Sequence, residues 1–202
     1  MRGLVRVGAA VPSLALGNVK ENMKRHLAMM REAKEKHVSI VTFPELSLTG
    51  YTCGDLFFQR RLLDDVTDAL LALKDEMPEG ILAVVGAPLE IEGALYNCAV
   101  VLHKGEIISA VPKTFLPNNG EFYEKRWFQS GDARRDASVA IPKLKTDVCR
   151  QAIFEMEDGV RFGIELCEDL WAPLPPSTML SVEGAEIILN LSASNELLSK
   201  RE

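Results

Sequence analysis

A chain of 202 residues, 47% hydrophobic and 26% charged, carries enough apolar side chain to bury a sizeable core as one large domain or two small ones. Its formal net charge of -6 offers none of the basic footprint that nucleic acid or an anionic membrane surface requires, so neither is expected as a partner. The opening stretch LVRVGAAVPSLAL is interrupted by Arg6 and Pro12 and is too short to span a bilayer, and the chain reads as cytosolic with reduced thiols.

Val5, Val7 and Ala9 alternate with other residues as a first strand. Asn18 then stands where it can cap a helix whose apolar positions Val19, Met23, Leu27 and Met30 recur at three and four. VSIVTF (38 to 43) is a short β-branched run suited to a strand covered on both faces, and its stop at Pro44 puts Glu45 at a strand's carboxyl end. RLLDDVTDALLALKDEM (61 to 77) has helical spacing and ends before Pro78 and Gly80. Three strand-like runs follow, ILAVVGAPLEI, LYNCAVVLH and EIISAVP, joined by hairpin-type turns at Glu92-Gly93 and Lys104-Gly105, and Lys113 comes at the end of the third.

Residues 114 to 135 show no clean periodicity but hold five aromatic residues, the composition of a functional loop rather than a disordered one. QAIFEME and VRFGIEL flank Asp158-Gly159 as a hairpin, which leaves Cys167 just past a strand. PPSTMLSVEGA reads as a short helix and EIILNLSAS as a last strand. No repeat or linker divides the chain, so one domain is expected, with helices on a mixed sheet that also faces a second sheet. Glu45, Lys113, the aromatic loop, Cys167 and the segment Ser192 to Asn195 all fall at strand ends or just after them, where sites collect.

Cys167 sits between Glu165 on one side and Glu168 and Asp169 on the other, a local charge pattern that disfavours a thiolate. Four cysteines without a C-x-x-C pair, and three histidines far from them in sequence, argue against a structural zinc site. The histidines are also weak partners for a nucleophile: His26 and His37 belong to or follow a charged helix and His103 starts a turn, so each reads as a surface or helix-end residue. No G-x-S-x-G elbow, Walker loop or GxGxxG fingerprint occurs. What remains is a triad in which Glu45 is the base, Lys113 the distant cation, and Cys167 the nucleophile. Plainer readings stay open on composition alone: a core thiol, a helix-capping Glu, a solvated Lys.

FPELSLTGY around Glu45, VPKTFLP around Lys113 and GIELCEDLW around Cys167 resemble the three motif blocks of the nitrilase (carbon-nitrogen hydrolase) superfamily, in that order and with similar spacing. FPELSLTGYTCGDLF, EFYEKRWF, CEDLW and NLSASNE look, more narrowly, like the glutaminase half of the glutamine-dependent NAD synthetases, across nearly all of residues 1 to 202. The resemblance implies an α/β fold of the nitrilase type, an α-β-β-α sandwich forming one glutamine amidohydrolase domain over residues 1 to 202. It further implies that Cys167 attacks the side-chain amide of L-glutamine, that Glu45 shuttles the proton, and that Lys113 with the backbone N–H of Glu168 holds the oxyanion. Glu124 looks like the family's second glutamate, which positions the lysine. Glu168, Trp171, Ser194 and Lys200 are the positions to which the comparison assigns glutamine binding. Trp171 and Ser194 read equally well as a core residue and the start of a turn, and Lys200 as a solvated charge.

Two departures stand out. Asn119 occupies a position where this glutaminase pattern usually has an aromatic residue, and the sequence ends at KRE where the pattern continues for several more strands and a helix, so the sandwich is expected to be incomplete there. No SGGxDS-type loop occurs; ATP and magnesium would belong to a synthetase domain outside these residues, and this chain is expected to need no cofactor of its own. That synthetase domain and further copies of the chain, as a homo-oligomer, are the expected partners. Two other readings compete: a stand-alone amidase or carbamoylase on another small amide, separated by substrate preference, and a catalytically silent assembly fragment, separated by thiol reactivity.

Overall fold

The computed structural model describes residues 4–133, 138–141 and 143–195. Its strands are β1 (Val7–Ala9), β2 (Ile40–Thr42), β3 (Leu82–Ile91), β4 (Ala94–His103), β5 (Glu106–Pro112), β6 (Ser138–Ile141), β7 (Thr146–Cys149), β8 (Ile153–Glu155), β9 (Arg161–Leu166) and β10 (Ile187–Leu191). The α-helices are α1 (Val19–Glu35), α2 (Arg60–Glu76), α3 (Glu124–Trp127) and α4 (Pro176–Val182). Short 3-10 helices cover Tyr51–Phe58, Gly131–Ala133 and Cys167–Trp171.

Local chemistry sets the boundaries. Asn18 caps α1 through its side-chain oxygen, which accepts from the Glu21 N–H at 3.2 Å. Both residues of the Glu92-Gly93 and Lys104-Gly105 turns have positive φ, the conformation that matches the twist of a tight hairpin. Asp158-Gly159 also closes a hairpin, but only the glycine takes a positive φ, at 80°, while the Asp158 carboxylate accepts from the Val160 N–H.

The strands form two sheets. One has seven strands in the order β1-β2-β3-β4-β5-β7-β6, and the other has three in the order β10-β9-β8. Alternation along the central strands splits their side chains between two cores. Val41, Ala83, Val85, Cys98, Val100 and Leu102 face α1 and α2, while Ile40, Val84, Ala99 and Val101 meet Phe162, Ile164, Leu166, Leu189 and Leu191 of the second sheet. On the far side of that sheet α4 rests on β9, with Leu180 against Gly163. The layers therefore run helix, sheet, sheet, helix, as the resemblance implies.

Two features escape the sequence reading. β6 and β7 are four residues each, too short to display a period, and the aromatic loop contains α3, a single helical turn. His26 is a correction: it is fully buried rather than on a surface or helix end. Its ring lies 4.4 Å from that of Phe43, Nδ1 meets the Asn22 carbonyl at 2.7 Å and Nε2 meets the Ser47 hydroxyl at 2.8 Å. No helix among the described residues is long and apolar enough to cross a membrane.

Candidate active site

Glu45 follows β2 on a turn whose shape is dictated by its neighbours. Leu46 takes a left-handed φ of 51°, and Leu48 N–H donates to the Gly86 carbonyl of β3 at 3.1 Å. Gly86 is obligatory here, because a Cβ at that position would come within 2.3 Å of the Pro44 carbonyl and 2.4 Å of the Leu46 nitrogen. From behind, Asn22 and His26 of α1 grip the same turn, Asn22 Nδ2 donating to the Leu48 carbonyl at 3.0 Å. The result is a carboxylate that is 1% exposed and aimed between the sheets' upper edges.

Lys113 extends from the end of β5, and its side chain is wholly buried. Its ammonium donates at 2.6 Å to Glu45 Oε1 and at 2.6 Å to Glu124 Oε1. Asn97 of β4 donates to Glu45 Oε1 at 2.7 Å, and the Tyr51 hydroxyl donates to Glu124 Oε1 at 2.7 Å. One cation between two carboxylates makes a charge-assisted network whose members are nearly all satisfied. Burial alone would lower the Lys113 ammonium's pKa, but the flanking carboxylates outweigh it and hold the group above its usual value. Burial and the Glu45 charge push the Glu124 carboxyl up. Burial, with Glu124 beside it, pushes the Tyr51 phenol well above its ordinary range.

Cys167 lies across from this network on the other sheet. It begins a 3-10 turn directly after β9 and takes a left-handed φ of 45°, an uncommon conformation for a side-chain-bearing residue. Asp169, 1% exposed, locks that turn to the first sheet: Oδ1 accepts from Thr114 N–H at 3.1 Å and Phe115 N–H at 2.7 Å, and Oδ2 from Leu166 N–H at 3.0 Å. The residue following Lys113 and the residue preceding Cys167 are thus tied by one carboxylate. Burial pushes Asp169 up to about 6 against the pull of those donors.

The parallel register Leu191↔Leu166 sets the residues after β10 beside the residues after β9. Ser192 Oγ consequently lies 3.3 Å from Cys167 Sγ, and the Ala193 N–H donates to Glu45 Oε2 at 3.2 Å. Cys167 is joined to the Glu45–Lys113 network through this two-residue segment. Burial and the Glu45 carboxylate push the thiol up, while the Ser192 hydroxyl, the Lys113 ammonium and the Ala193 N–H pull it back only in part.

The residues assigned to substrate binding are less enclosed. Glu168 is half-buried beside Cys167, Ser194 is exposed past the end of β10, and Trp171 is 75% exposed, so its reading as a core residue is excluded. Asn119 is exposed, its carbonyl accepting from Phe122 N–H. Lys200 lies outside the described residues. Four residues that the sequence reading did not single out complete the site: Tyr51, Asn97, Asp169 and Gly86. Asn97 did leave a signal, as a polar side chain inside the apolar run LYNCAVV; Tyr51 and Asp169 stand within the motif blocks themselves.

Two sheets thus face each other across Glu45, Lys113 and Cys167, and the sequence says which class of protein carries them. Residues 6–200 match the carbon-nitrogen hydrolase family, and the chain belongs to that family. Among curated relatives, the glutamine-dependent NAD(+) synthetase of Mycobacterium tuberculosis (strain ATCC 25618 / H37Rv) is 36% identical over 203 residues, covering 99% of this chain and 30% of that protein. A crystal structure of a glutamine-dependent NAD(+) synthetase from Cytophaga hutchinsonii superposes with a TM-score of 0.83 at 29% identity, over 97% of this chain and 32% of that one. An amidase from Nesterenkonia sp. shares the fold, with a TM-score of 0.73 at 17% identity over 93% of this chain and 64% of that one. The chain spans about 30% of the length of the curated relatives it matches.

Proposed function

We propose that residues 1 to 202 are a glutamine amidohydrolase domain that supplies ammonia to a synthetase domain for ATP-dependent NAD synthesis. In this reading Glu45 takes the Cys167 thiol proton, and the sulfur attacks the glutamine side-chain carbonyl carbon. The tetrahedral oxyanion is held by Lys113 and the Glu168 N–H, each such donor contributing roughly 3 to 4 kcal/mol. The C–N bond then breaks, Glu45 returns the proton to the departing ammonia, and a thioester remains. Water, deprotonated by Glu45, hydrolyses the thioester to glutamate and the free thiol. Glu124 stays in place as the second acceptor for Lys113, and Glu168, Trp171, Ser194 and Lys200 bind the amino-acid end of glutamine.

The observation that carries the reading is the buried contact of Lys113 with both Glu45 and Glu124, set beside a strained Cys167 turn that shares the Ala193 segment with Glu45. The narrower choice of glutamine is supported by the relatives named above. Ammonia release from L-glutamine, asparagine and simple aliphatic amides, for the parent chain and Cys167→Ala, tests it. Release from glutamine alone that the substitution abolishes is expected. Release from other amides would favour a stand-alone amidase, and none from a folded chain would favour a silent assembly fragment.

A further inference from the structure

The groups that oppose ionisation of Cys167 include the Glu45 carboxylate from the turn after β2, the Tyr51 phenol lies within electrostatic reach, and Glu168 and Asp169 follow it in sequence. Lys113 is the cation whose charge reaches it, yet that ammonium is already shared between Glu45 and Glu124 at 2.6 Å each. Its charge pulls the thiol down less than the Glu45 charge pushes it up. Direct support comes instead from the end of β10. The Ser192 hydroxyl lies 3.3 Å from Sγ, and the Ala193 N–H beside it, which donates to Glu45, also pulls the thiol's pKa down.

We infer that Ser192 is a further catalytic residue, its hydroxyl donating to the Cys167 sulfur and, together with the Ala193 N–H, holding it as the attacking thiolate. A hydroxyl suits the task because it turns freely about its C–O bond: it accepts from, or ignores, a neutral thiol and points its hydrogen at sulfur once the proton has passed to Glu45. The placement is fixed by strand register, since Leu191 pairs with Leu166 and the next residues after the two strands are Ser192 and Cys167. This inference rests on Cys167 being the nucleophile and is independent of which amide it attacks.

Alkylation by iodoacetamide, in which the thiolate forms an S–C bond and expels iodide, reads the thiolate directly and needs no amide substrate. The rate at Cys167, located by mass spectrometry, is followed against pH for the parent, Ser192→Ala and Ser192→Thr, with unfolding midpoints recorded in parallel. Loss of a hydrogen bond to an ionised sulfur is expected to move the Ser192→Ala midpoint upward by about one pH unit and slow alkylation at pH 7 by about tenfold. Ser192→Thr, which keeps the hydroxyl, is expected to restore the parent profile. A Ser192→Ala profile that superimposes on the parent overturns the inference. So does a shift that Ser192→Thr fails to correct and that accompanies a lowered unfolding midpoint, the mark of a packing role. A displaced midpoint in a chain that releases no ammonia from glutamine overturns the substrate proposal and supports this one.

Discussion

On the first-sheet side of the site, Glu45, Lys113 and Glu124 are at most 1% exposed and each is held by at least two hydrogen bonds; on the second-sheet side, Cys167 and Glu168 are half-buried and Trp171 is 75% exposed. The two carboxylates and the ammonium are enclosed in the core, while the thiol and the residues proposed to meet substrate stand at the rim. The contrast separates two kinds of requirement. A carboxylate that must hold one geometry while its partners change needs a dry, fully bonded setting, whereas a nucleophile must be reached.

Glu45→Gln should break the comparison most severely. It removes the proposed base at nearly constant shape, and a fall in turnover of about 10²- to 10⁴-fold is expected, together with some loss of stability because Lys113 keeps only Glu124 as a buried carboxylate partner. Steady-state ammonia release from chain shown to be folded checks it; unchanged turnover would mean that the first wall is structural rather than chemical. Gly86→Ala attacks the same wall from behind. Its Cβ meets backbone atoms that have nowhere to move, and a loss of about 3 kcal/mol or more in urea unfolding is expected.

A pH series sharpens the picture of what backs the wall. Burial lowers His26 from 6.5 to about 4, so it stays neutral in the fold where an unfolded chain would take up a proton. Its contribution to stability is intact above about pH 6.5 and declines by about 3 kcal/mol as pH falls toward 4. His26→Gln should lack that part of the acid slope when the two unfolding curves are compared.

Tyr51→Phe removes one donor to Glu124 and leaves Lys113 in contact with both carboxylates. A loss of about 1 kcal/mol, or a several-fold drop in turnover, is expected. At the small end, Trp171→Ala on the open wall should change the unfolding free energy by no more than about 0.5 kcal/mol. Its effect, if it touches glutamine, belongs in KM. A large stability loss there would show that the second wall is as closed as the first.

Much of this is legible in the amino-acid sequence. Glu45, Lys113 and Cys167 each followed a strand run whose period and punctuation were plain, and the helix-sheet-sheet-helix order followed from those runs together with the motif blocks. What stayed hidden depends on contacts between distant segments. Nothing local to Asn97 says that its amide meets a carboxylate from β2, and nothing local to Asp169 says that it joins the ends of β5 and β9. His26 misled because its neighbours in sequence are charged, while its own face of α1 turns inward onto Phe43 and Ser47. β6 and β7 were too short for alternation to show, and their pairing is set by β5.

The left-handed backbone at Cys167 has a further consequence. Glycine adopts that conformation freely, so Cys167→Gly should unfold at a higher midpoint than Cys167→Ala, and asparagine should fall between them. A population of variants sorted only for heat resistance would therefore drift away from the thiol at this position. Selection for durability and selection for reaction pull in opposite directions on one torsion angle.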